Sequence, residues 1–218
     1  MRRFAVIGLG NFGFYAAKAL FEDGHEVVAI DKDKGRVQAI DTHSTEALVL
    51  DATDKEALKS LGLEDMDAVI VSPGTNITTS ILVCLYLKEI GVKKILAKAL
   101  DDDHGKILQR VGATEIIHPE REMAMRVSRG LSRPNVLDFI PLGDEFDLLE
   151  VGPPREFIGK SLKDLNLRAK HNVQIIAIQE LVPENLVLVP PANFVIKDSD
   201  ILIMLGKSED IRKIKGLK

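Results

Sequence analysis

Residues 6–13 read Val-Ile-Gly-Leu-Gly-Asn-Phe-Gly, and this stretch decides the fold. It matches the pattern G-x-G-x-x-G, follows a short apolar run and opens a helix-periodic segment. In that setting the first glycine permits a tight turn, the second lets a diphosphate approach the backbone, and the third lets helix and strand pack closely. The residues expected to meet the phosphates are those of the turn, Gly8, Gly10, Asn11, Phe12 and Gly13.

An acidic residue follows the turn at a suitable distance. Asp31 ends the second apolar run, 18 residues after Gly13, close to the roughly 20 expected for the carboxylate that binds both ribose hydroxyls. Such a carboxylate repels a 2′-phosphate, which disfavours NADP. Lys32, the next residue, is included in the predicted site. The alternative is a glycine-rich turn with an incidental aspartate.

Short apolar runs alternate with helical patterns through the first two-thirds of the chain. This alternation, without hairpin-length connections, predicts an α/β fold whose parallel strands are joined by right-handed crossovers. Six strands suggest a Rossmann-like doubly wound sheet of order 3-2-1-4-5-6. The predicted strands are 3–7, 27–30, 47–50, 68–71, 94–97 and 115–117, and the predicted helices are 12–21, 34–40, 54–61, 77–90, 104–111 and 120–132.

Polar residues end the other strands at the same predicted edge. Open parallel sheets bind ligands beyond their carboxyl ends, so these residues join the predicted site. Asp51 and Thr53 are suited to bracket an adenine, and Lys98 is suited to neutralise phosphate. Helix capping or a surface ion pair is the alternative for each. The full set is Asp51, Ala52, Thr53, Ser72, Gly74, Asn76 and Lys98.

Two acidic positions have competing interpretations. Glu120 opens the last helix of this half, where it is suited to bind a divalent cation such as Mg²⁺ that bridges phosphates. Compensation of the helix dipole after Pro119 explains the same residue without a metal. Residues 101–104, Asp-Asp-Asp-His, resemble a metal cluster, but a solvated loop that caps the helix from His104 is the favoured interpretation.

Proline divides the chain into two regions. Two of the nine prolines precede residue 134, and the other seven lie at residue 134 or after it. The later region carries strand patterns at 146–151, 173–179, 186–189 and 201–205, with one helix predicted over 161–167 and capped by Ser161. We therefore predict a nucleotide-binding domain over 1–133 and a small α+β domain over 134–218, with 134–143 as the linker.

Composition excludes several classes of protein. The 218 residues carry a net charge of −4, spread evenly over both predicted domains, which disfavours broad nucleic-acid binding. No apolar run approaches the roughly 18–20 residues that cross a bilayer, and the opening run is too short for a secretory signal. The single cysteine, Cys84, can form no internal disulfide, which fits a reducing cytosol, and its apolar neighbours indicate a core residue and not a nucleophile. The five histidines show no convincing catalytic pairing with a carboxylate, so hydride transfer lacks a proton donor.

Taken together, these residues resemble the RCK family, the regulators of K⁺ conductance, and within it the TrkA/KtrA-like peripheral subunits of bacterial K⁺ uptake systems. The resemblance covers nearly the whole chain. In the first half it rests on 8–13, 29–31, 51–53, Asn76, 96–98 and 117–120; in the second it rests on 157–162, 175–178 and 200–206.

The resemblance implies a protein that is not an enzyme. It implies a cytoplasmic ring of dimers, usually octameric, on the inner face of the membrane against a TrkH/KtrB-like K⁺ translocating subunit. ATP, ADP, AMP or NAD(H) would bind the sheet edge, and Glu120 would help hold a cation beside the nucleotide. Residues 123–142 would form the crossover helix and dimer contact. The same resemblance raises cyclic di-AMP as a ligand near Arg168, Asn172 and Val173, without deciding it.

One residue departs from the family pattern. Many relatives carry arginine where this chain has Asn11, and that arginine reaches the terminal phosphate. Asn11 donates hydrogen bonds but supplies no charge, so the preference for ATP over ADP, AMP or NAD(H) stays open. Two other functions also stay open: a small NAD-dependent oxidoreductase, and a nucleotide sensor whose partner is not a channel.

Overall fold

The computed structural model describes residues 1–132, 136–143, 145–211 and 213–214. It divides into two compact units, Met1–Arg121 and Glu122–Lys218. The first unit contains six strands, β1 Arg3–Ile7, β2 Glu26–Asp31, β3 Glu46–Val49, β4 Ala68–Val71, β5 Ile95–Lys98 and β6 Glu115–Ile117. Its helices are α1 Asn11–Glu22, α2 Lys34–Ile40, α3 Lys55–Lys59, α4 Ile77–Ile90 and α5 Asp102–Val111, followed by α6 Pro119–Ser132.

All six strands of the first unit are parallel and lie in the order β3-β2-β1-β4-β5-β6. The predicted doubly wound topology is therefore confirmed. Successive residues of a strand point to opposite faces, and the central strands are apolar on both. Ala5 and Ile7 pack with residues of α3, α4 and α5, whereas Val6 packs with residues of α1 and α2. Each face of the sheet thus has its own core.

Aspartate and asparagine side chains set where four of these helices begin. Asp33, Asp54, Asn76 and Asp101 each precede a helix and accept hydrogen bonds from backbone N–H groups of its first turn. Each side chain satisfies donors that the helix itself leaves unpaired. The segment 101–104 is therefore a capped helix start, as its favoured interpretation had it, and α5 begins two residues earlier than the prediction.

The second unit is a five-stranded antiparallel sheet of order β10-β9-β11-β8-β7 with short helices. Its strands are β7 Val136–Leu142, β8 Phe146–Val151, β9 Gln174–Leu181, β10 Glu184–Leu188 and β11 Ile201–Lys207, and its helices are α7 Leu162–Leu165, α8 Leu167–His171 and α9 Ser208–Ile211. The core includes Leu149, Ile178 and Met204. The predicted small α+β fold is confirmed.

One predicted element of this unit is wrong. The single helix expected over 161–167 is two helices, because Asn166 takes a left-handed conformation with φ of 47° and ends α7. Asparagine tolerates that conformation better than most residues. The expected cap is present, since Ser161 and Asp164 form a reciprocal capping box.

The division between the units at 121/122 lies inside α6, whereas the sequence predicts a boundary at 133/134. Residues 133–135 lie outside the described part of the chain, so the predicted boundary and linker stay a prediction. Within the described residues, no helix combines the length and the apolar character needed to span a membrane.

Candidate nucleotide-binding site

A cavity of about 170 Å³ opens at the carboxyl edge of the parallel sheet, where β1, β2, β3 and β4 end. Parallel α/β sheets bind ligands at this edge because the connections from the two central strands leave to opposite faces of the sheet, which opens a crevice, and helix N-termini border it. The lining residues are Ile7, Gly8, Ile30, Asp31, Lys32, Arg36, Leu50, Asp51, Ala52, Thr53, Pro73, Asn76 and Thr79.

The glycine turn is shaped by close backbone packing. Gly8 has φ of +94°, and a Cβ on it would lie 2.3 Å from the Ser72 carbonyl oxygen. A Cβ on Gly13 would lie 1.9 Å from the Gly8 carbonyl oxygen, so both positions exclude any side chain. A Cβ on Gly10 would meet nothing within 4 Å. Gly10 therefore faces open space, as the role predicted for it requires.

Helix α1 begins without the side-chain cap that α2 to α5 possess. Gly10 is its N-cap residue and offers no side chain, and the first hydrogen bond along the helix runs from Phe14 N–H to Gly10 O over 2.8 Å. The N–H groups that precede Phe14 in the first turn therefore have no acceptor within the helix. Such groups, together with the helix dipole, favour an anion.

Asp31 connects the second strand to the glycine turn. The residue is 8 % exposed, and its Oδ2 accepts the Leu9 N–H at 2.7 Å. Its Oδ1 accepts the Asp33 N–H at 2.9 Å. A carboxylate oxygen has room for further donors, so the same carboxylate holds the turn in place and borders the cavity.

The loop after β3 supplies a second carboxylate. Asp51 Oδ1 accepts hydrogen bonds from the N–H and the hydroxyl of Thr53, at 3.0 and 2.7 Å. These bonds, with a smaller contribution from the charge of Lys32, lower the pKa of Asp51. The loop is thus fixed by its own polar groups, with Asp51, Ala52 and Thr53 all facing the cavity.

Lys98, at the end of β5, and Glu120, in the first turn of α6, form an ion pair. The Lys98 side chain is 12 % exposed, and its hydrogen bond to Glu120 is the main reason that the pKa of Glu120 is lowered. A second pair joins Arg121 to Asp102 at 2.5 Å. Within the described residues, no group of three or more His, Cys, Asp or Glu side chains is placed to hold a metal ion.

The structure brings together about half of the predicted residues. Seven line the cavity: Gly8, Asp31, Lys32, Asp51, Ala52, Thr53 and Asn76. Gly10 and Asn11 lie at the open start of α1, beyond the cavity lining. Phe12 packs against the core beneath α1, and Ser72 is buried behind Gly8. Gly13, Gly74, Lys98 and Glu120 also lie outside the lining.

Six further residues line the cavity that were not predicted from the sequence: Ile7, Ile30, Arg36, Leu50, Pro73 and Thr79. A signal existed for two of them. Arg36 and Thr79 each stand three residues after a capping side chain, Asp33 and Asn76, and donate their backbone N–H to it. A residue in the first turn of a helix that starts at the ligand edge faces that edge.

A second cavity, of about 240 Å³, lies within the second unit. Arg168 and Val173, two of the residues that the family resemblance brought into consideration, line it together with Lys163 and Asn166. Asn172 is outside the lining. Two cationic side chains make this cavity suited to an anionic ligand.

The fold and the cavity define a class, that of Rossmann-type nucleotide-binding domains joined to a small α+β domain. Two family models cover the chain, the TrkA-N domain over residues 4–119 and the TrkA-C domain over residues 148–217. The chain therefore belongs to the TrkA/Ktr family of potassium uptake proteins, which confirms the resemblance seen in the sequence.

Whole-length relatives agree with this assignment. The chain is 42 % identical over 214 residues to the Ktr system potassium uptake protein C of Bacillus subtilis, covering 98 % of this chain and 96 % of the relative. It is 39 % identical over 215 residues to the Ktr system potassium uptake protein A of the same organism, covering 99 % and 96 %. Both relatives are named as components of potassium uptake systems.

Solved structures share the fold. The GsuK RCK domain superposes with a TM-score of 0.67 at 17 % identity, over 99 % of this chain and 47 % of that one. The GsuK channel bound to NAD superposes with a TM-score of 0.66 at 16 % identity, over 99 % and 39 %. At this identity the likeness shows the fold alone.

Proposed function

We propose that this protein is a cytoplasmic nucleotide-sensing regulatory subunit that gates a membrane K⁺ transporter. One observation carries the proposal. The start of α1 at Gly10 has no side-chain cap and lies beside the buried carboxylate of Asp31, in a chain homologous over its length to Ktr potassium uptake proteins. The class of ligand follows from the site and the class of partner from the relatives.

The lining residues divide into parts that suit an adenine nucleotide. The open N–H groups at the start of α1 receive phosphate oxygens, with Gly10 leaving room for their approach. Asp31 accepts the ribose hydroxyls. The Asp51 loop and the aliphatic side chains of the cavity receive the base. Lys98 contributes positive charge at the next strand end.

The part of the site proposed to bind the phosphates does not select for a particular number of phosphates on the nucleotide. Asn11 supplies no charge at the position where the family resemblance implies arginine, so selection for a terminal phosphate must come from elsewhere. ATP, ADP, AMP and NAD(H) are therefore all proposed as ligands.

Glu120 is the proposed contact for a divalent cation. A single carboxylate is too few ligands for Mg²⁺, which prefers one or two carboxylates together with phosphate oxygens and water. Such a cation would therefore bind with the nucleotide, not before it. Its approach to Glu120 competes with the existing ion pair to Lys98.

Gating requires that the nucleotide bind one shape of the assembly more tightly than another. We propose that the chain assembles as dimers into an octameric ring against a TrkH/KtrB-like subunit on the inner face of the membrane. Exposed apolar side chains on α6 and β7 support the dimer, because a lone chain leaves them in water. They include Met123, Val127, Leu131, Leu137 and Ile140.

Co-reconstitution tests the proposal. The protein and its K⁺ translocating subunit are placed in liposomes, and K⁺ flux is recorded with and without ATP, ADP, AMP, NAD⁺ or NADH. We expect the two proteins to co-purify and the flux to change with at least one nucleotide. A K⁺ flux that is unchanged by addition of the protein and by every nucleotide would contradict the proposal.

The same preparations separate the alternatives. A membrane partner that never co-purifies, despite nucleotide binding, would indicate a sensor with another partner. A substrate-dependent change in NADH absorbance would indicate an oxidoreductase, which the names of the relatives do not support. Cyclic di-AMP remains a candidate ligand of the second cavity, where Arg168 and Lys163 supply the charge.

A further inference from the structure

Arg36 stands in a fixed position at the cavity, although nothing in the glycine motif predicts it. Its backbone N–H donates to Asp33 Oδ1 at 3.1 Å, and Asp33 N–H donates to Asp31 Oδ1 at 2.9 Å. The Arg36 guanidinium returns to Asp31, with Nη1 3.5 Å from Oδ2. The three residues therefore form a closed ring of contacts that holds Arg36 beside the Asp31 carboxylate, the group proposed to bind the ribose.

The guanidinium retains most of its capacity to bind. Its side chain is 52 % exposed, and the Asp31 contact is at the limit of hydrogen-bond distance and uses one of its five N–H donors. The cationic partner of this pair is half exposed to water and the contact is long, so the Asp31 contact holds the guanidinium only weakly. Among the residues that the structure describes, Asp31 is the partner of the guanidinium, so Arg36 is a planar cation that borders the cavity with its face and most donors uncommitted.

The charges near Arg36 and its position on α2 indicate which part of a bound nucleotide its guanidinium contacts. The phosphates belong at the start of α1, where the N–H groups are open. Arg36 is on α2, and the Asp31 carboxylate beside it offsets its charge and repels phosphate. The cavity lining also contains the aliphatic Leu50, Ala52 and Pro73, which suit a flat base.

We propose that Arg36 binds the adenosine end of the nucleotide by laying its guanidinium on the face of the base. This inference rests on the proposed nucleotide site and adds a ligand contact to it. A cation over an aromatic face contributes between about twofold and thirtyfold in affinity. Because the contact is with the base, that factor is independent of the number of phosphates.

Calorimetric titration of Arg36→Ala and Arg36→Lys with AMP, ADP and ATP tests the inference. We expect Arg36→Ala to weaken all three by the same factor and Arg36→Lys to recover only part of the loss, since lysine lacks the planar group. Arg110→Ala is the matched control, an exposed arginine on α5 in the same unit that borders no part of the cavity, and it keeps wild-type affinity.

A ligand without ribose hydroxyls separates a base contact from an effect through Asp31. With 2′,3′-dideoxy-ATP, the loss caused by Arg36→Ala persists if the guanidinium touches the base, and it disappears if Arg36 only positions Asp31. A loss that grows from AMP to ATP, a loss that disappears with the dideoxy ligand, or no loss at all would each overturn the inference. Wild-type protein that binds none of the nucleotides would instead overturn the proposed function, and this inference with it.

Discussion

At the scale of single residues, the three glycines of the turn have separate reasons to be glycine. Gly8 and Gly13 are enclosed by backbone atoms, so their lack of a side chain serves folding. Gly10 is in open space at the start of α1, so its lack of a side chain serves a ligand. The consensus pattern treats all three alike, and only the contacts separate them.

Gly10→Ala and Gly13→Ala therefore fail in different ways. Gly13→Ala forces a methyl into the Gly8 carbonyl and costs about 1–3 kcal/mol or more, several degrees in Tm. Gly10→Ala has room and an extended backbone, so its Tm falls by no more than the small cost of a poorer N-cap. Its methyl obstructs the phosphates, so nucleotide binding weakens.

Thermal unfolding and calorimetry on the two variants check this pair. Each variant is the control for the other, since both add one methyl group to the same turn. A Gly10→Ala protein with wild-type affinity, or a Gly13→Ala protein with wild-type Tm, would show that the assigned roles are wrong.

The sequence predicted the residues whose role depends on backbone chemistry. The glycine turn and Asp31 were recognisable because their spacing is imposed by the strand–turn–helix itself. Arg36 and Thr79 were not recognised, because their place in the cavity depends on which way a helix turn faces after its cap. The ion pair of Lys98 with Glu120 joins the end of β5 to the first turn of α6, 22 residues further along the chain, and no local pattern encodes it.

At the scale of elements, the boundaries follow from the capping residues, and a buried histidine joins α4 to α5. His104 is 4 % exposed, and its Nδ1 accepts the Leu100 N–H at 3.2 Å. Its proton therefore lies on Nε2, which is 2.9 Å from Ser80 Oγ. Burial lowers the pKa of His104, and the nearby Asp101 only partly opposes this.

This arrangement makes the stability of the first unit depend on pH. Below about pH 6.5 the unfolded chain binds a proton on this histidine, whereas the folded protein binds it only at lower pH. Stability contributed by neutral His104 is therefore present above that pH and is lost as the pH falls. We expect Tm to drop between about pH 7.5 and 5.5, in keeping with that titration.

His104→Asn provides the comparison, because its amide oxygen can accept the Leu100 N–H without titrating over this range. Tm measured across the range should fall less steeply for this variant than for the wild type. Parallel curves for the two proteins would mean that His104 does not carry the pH dependence.

At the scale of the whole molecule, the chain joins two units with different sheets. The parallel order was predictable because alternating strands and helices leave few topologies. The antiparallel order β10-β9-β11-β8-β7 was not predicted, since long-range pairing is not encoded by local patterns. The left-handed conformation of Asn166 was also not predicted, and it divides the single helix expected over 161–167 into α7 and α8.

The most direct test of whether the sheet edge at Asp31 binds a nucleotide is calorimetric titration with ATP, ADP, AMP, NAD⁺ and NADH. The proteins titrated are the wild type and the variants Asp31→Ala, Asp31→Asn and Asp102→Ala. Asp102 forms an exposed ion pair with Arg121 away from the cavity, so it is the control. Asp31→Asn keeps an oxygen for the Leu9 N–H and guards against simple unfolding.

We expect at least one nucleotide to bind the wild type, and both Asp31 variants to lose about tenfold or more in affinity while Asp102→Ala does not. Absence of binding by all five nucleotides, or equal affinities in the Asp31 and Asp102 variants, would contradict this expectation.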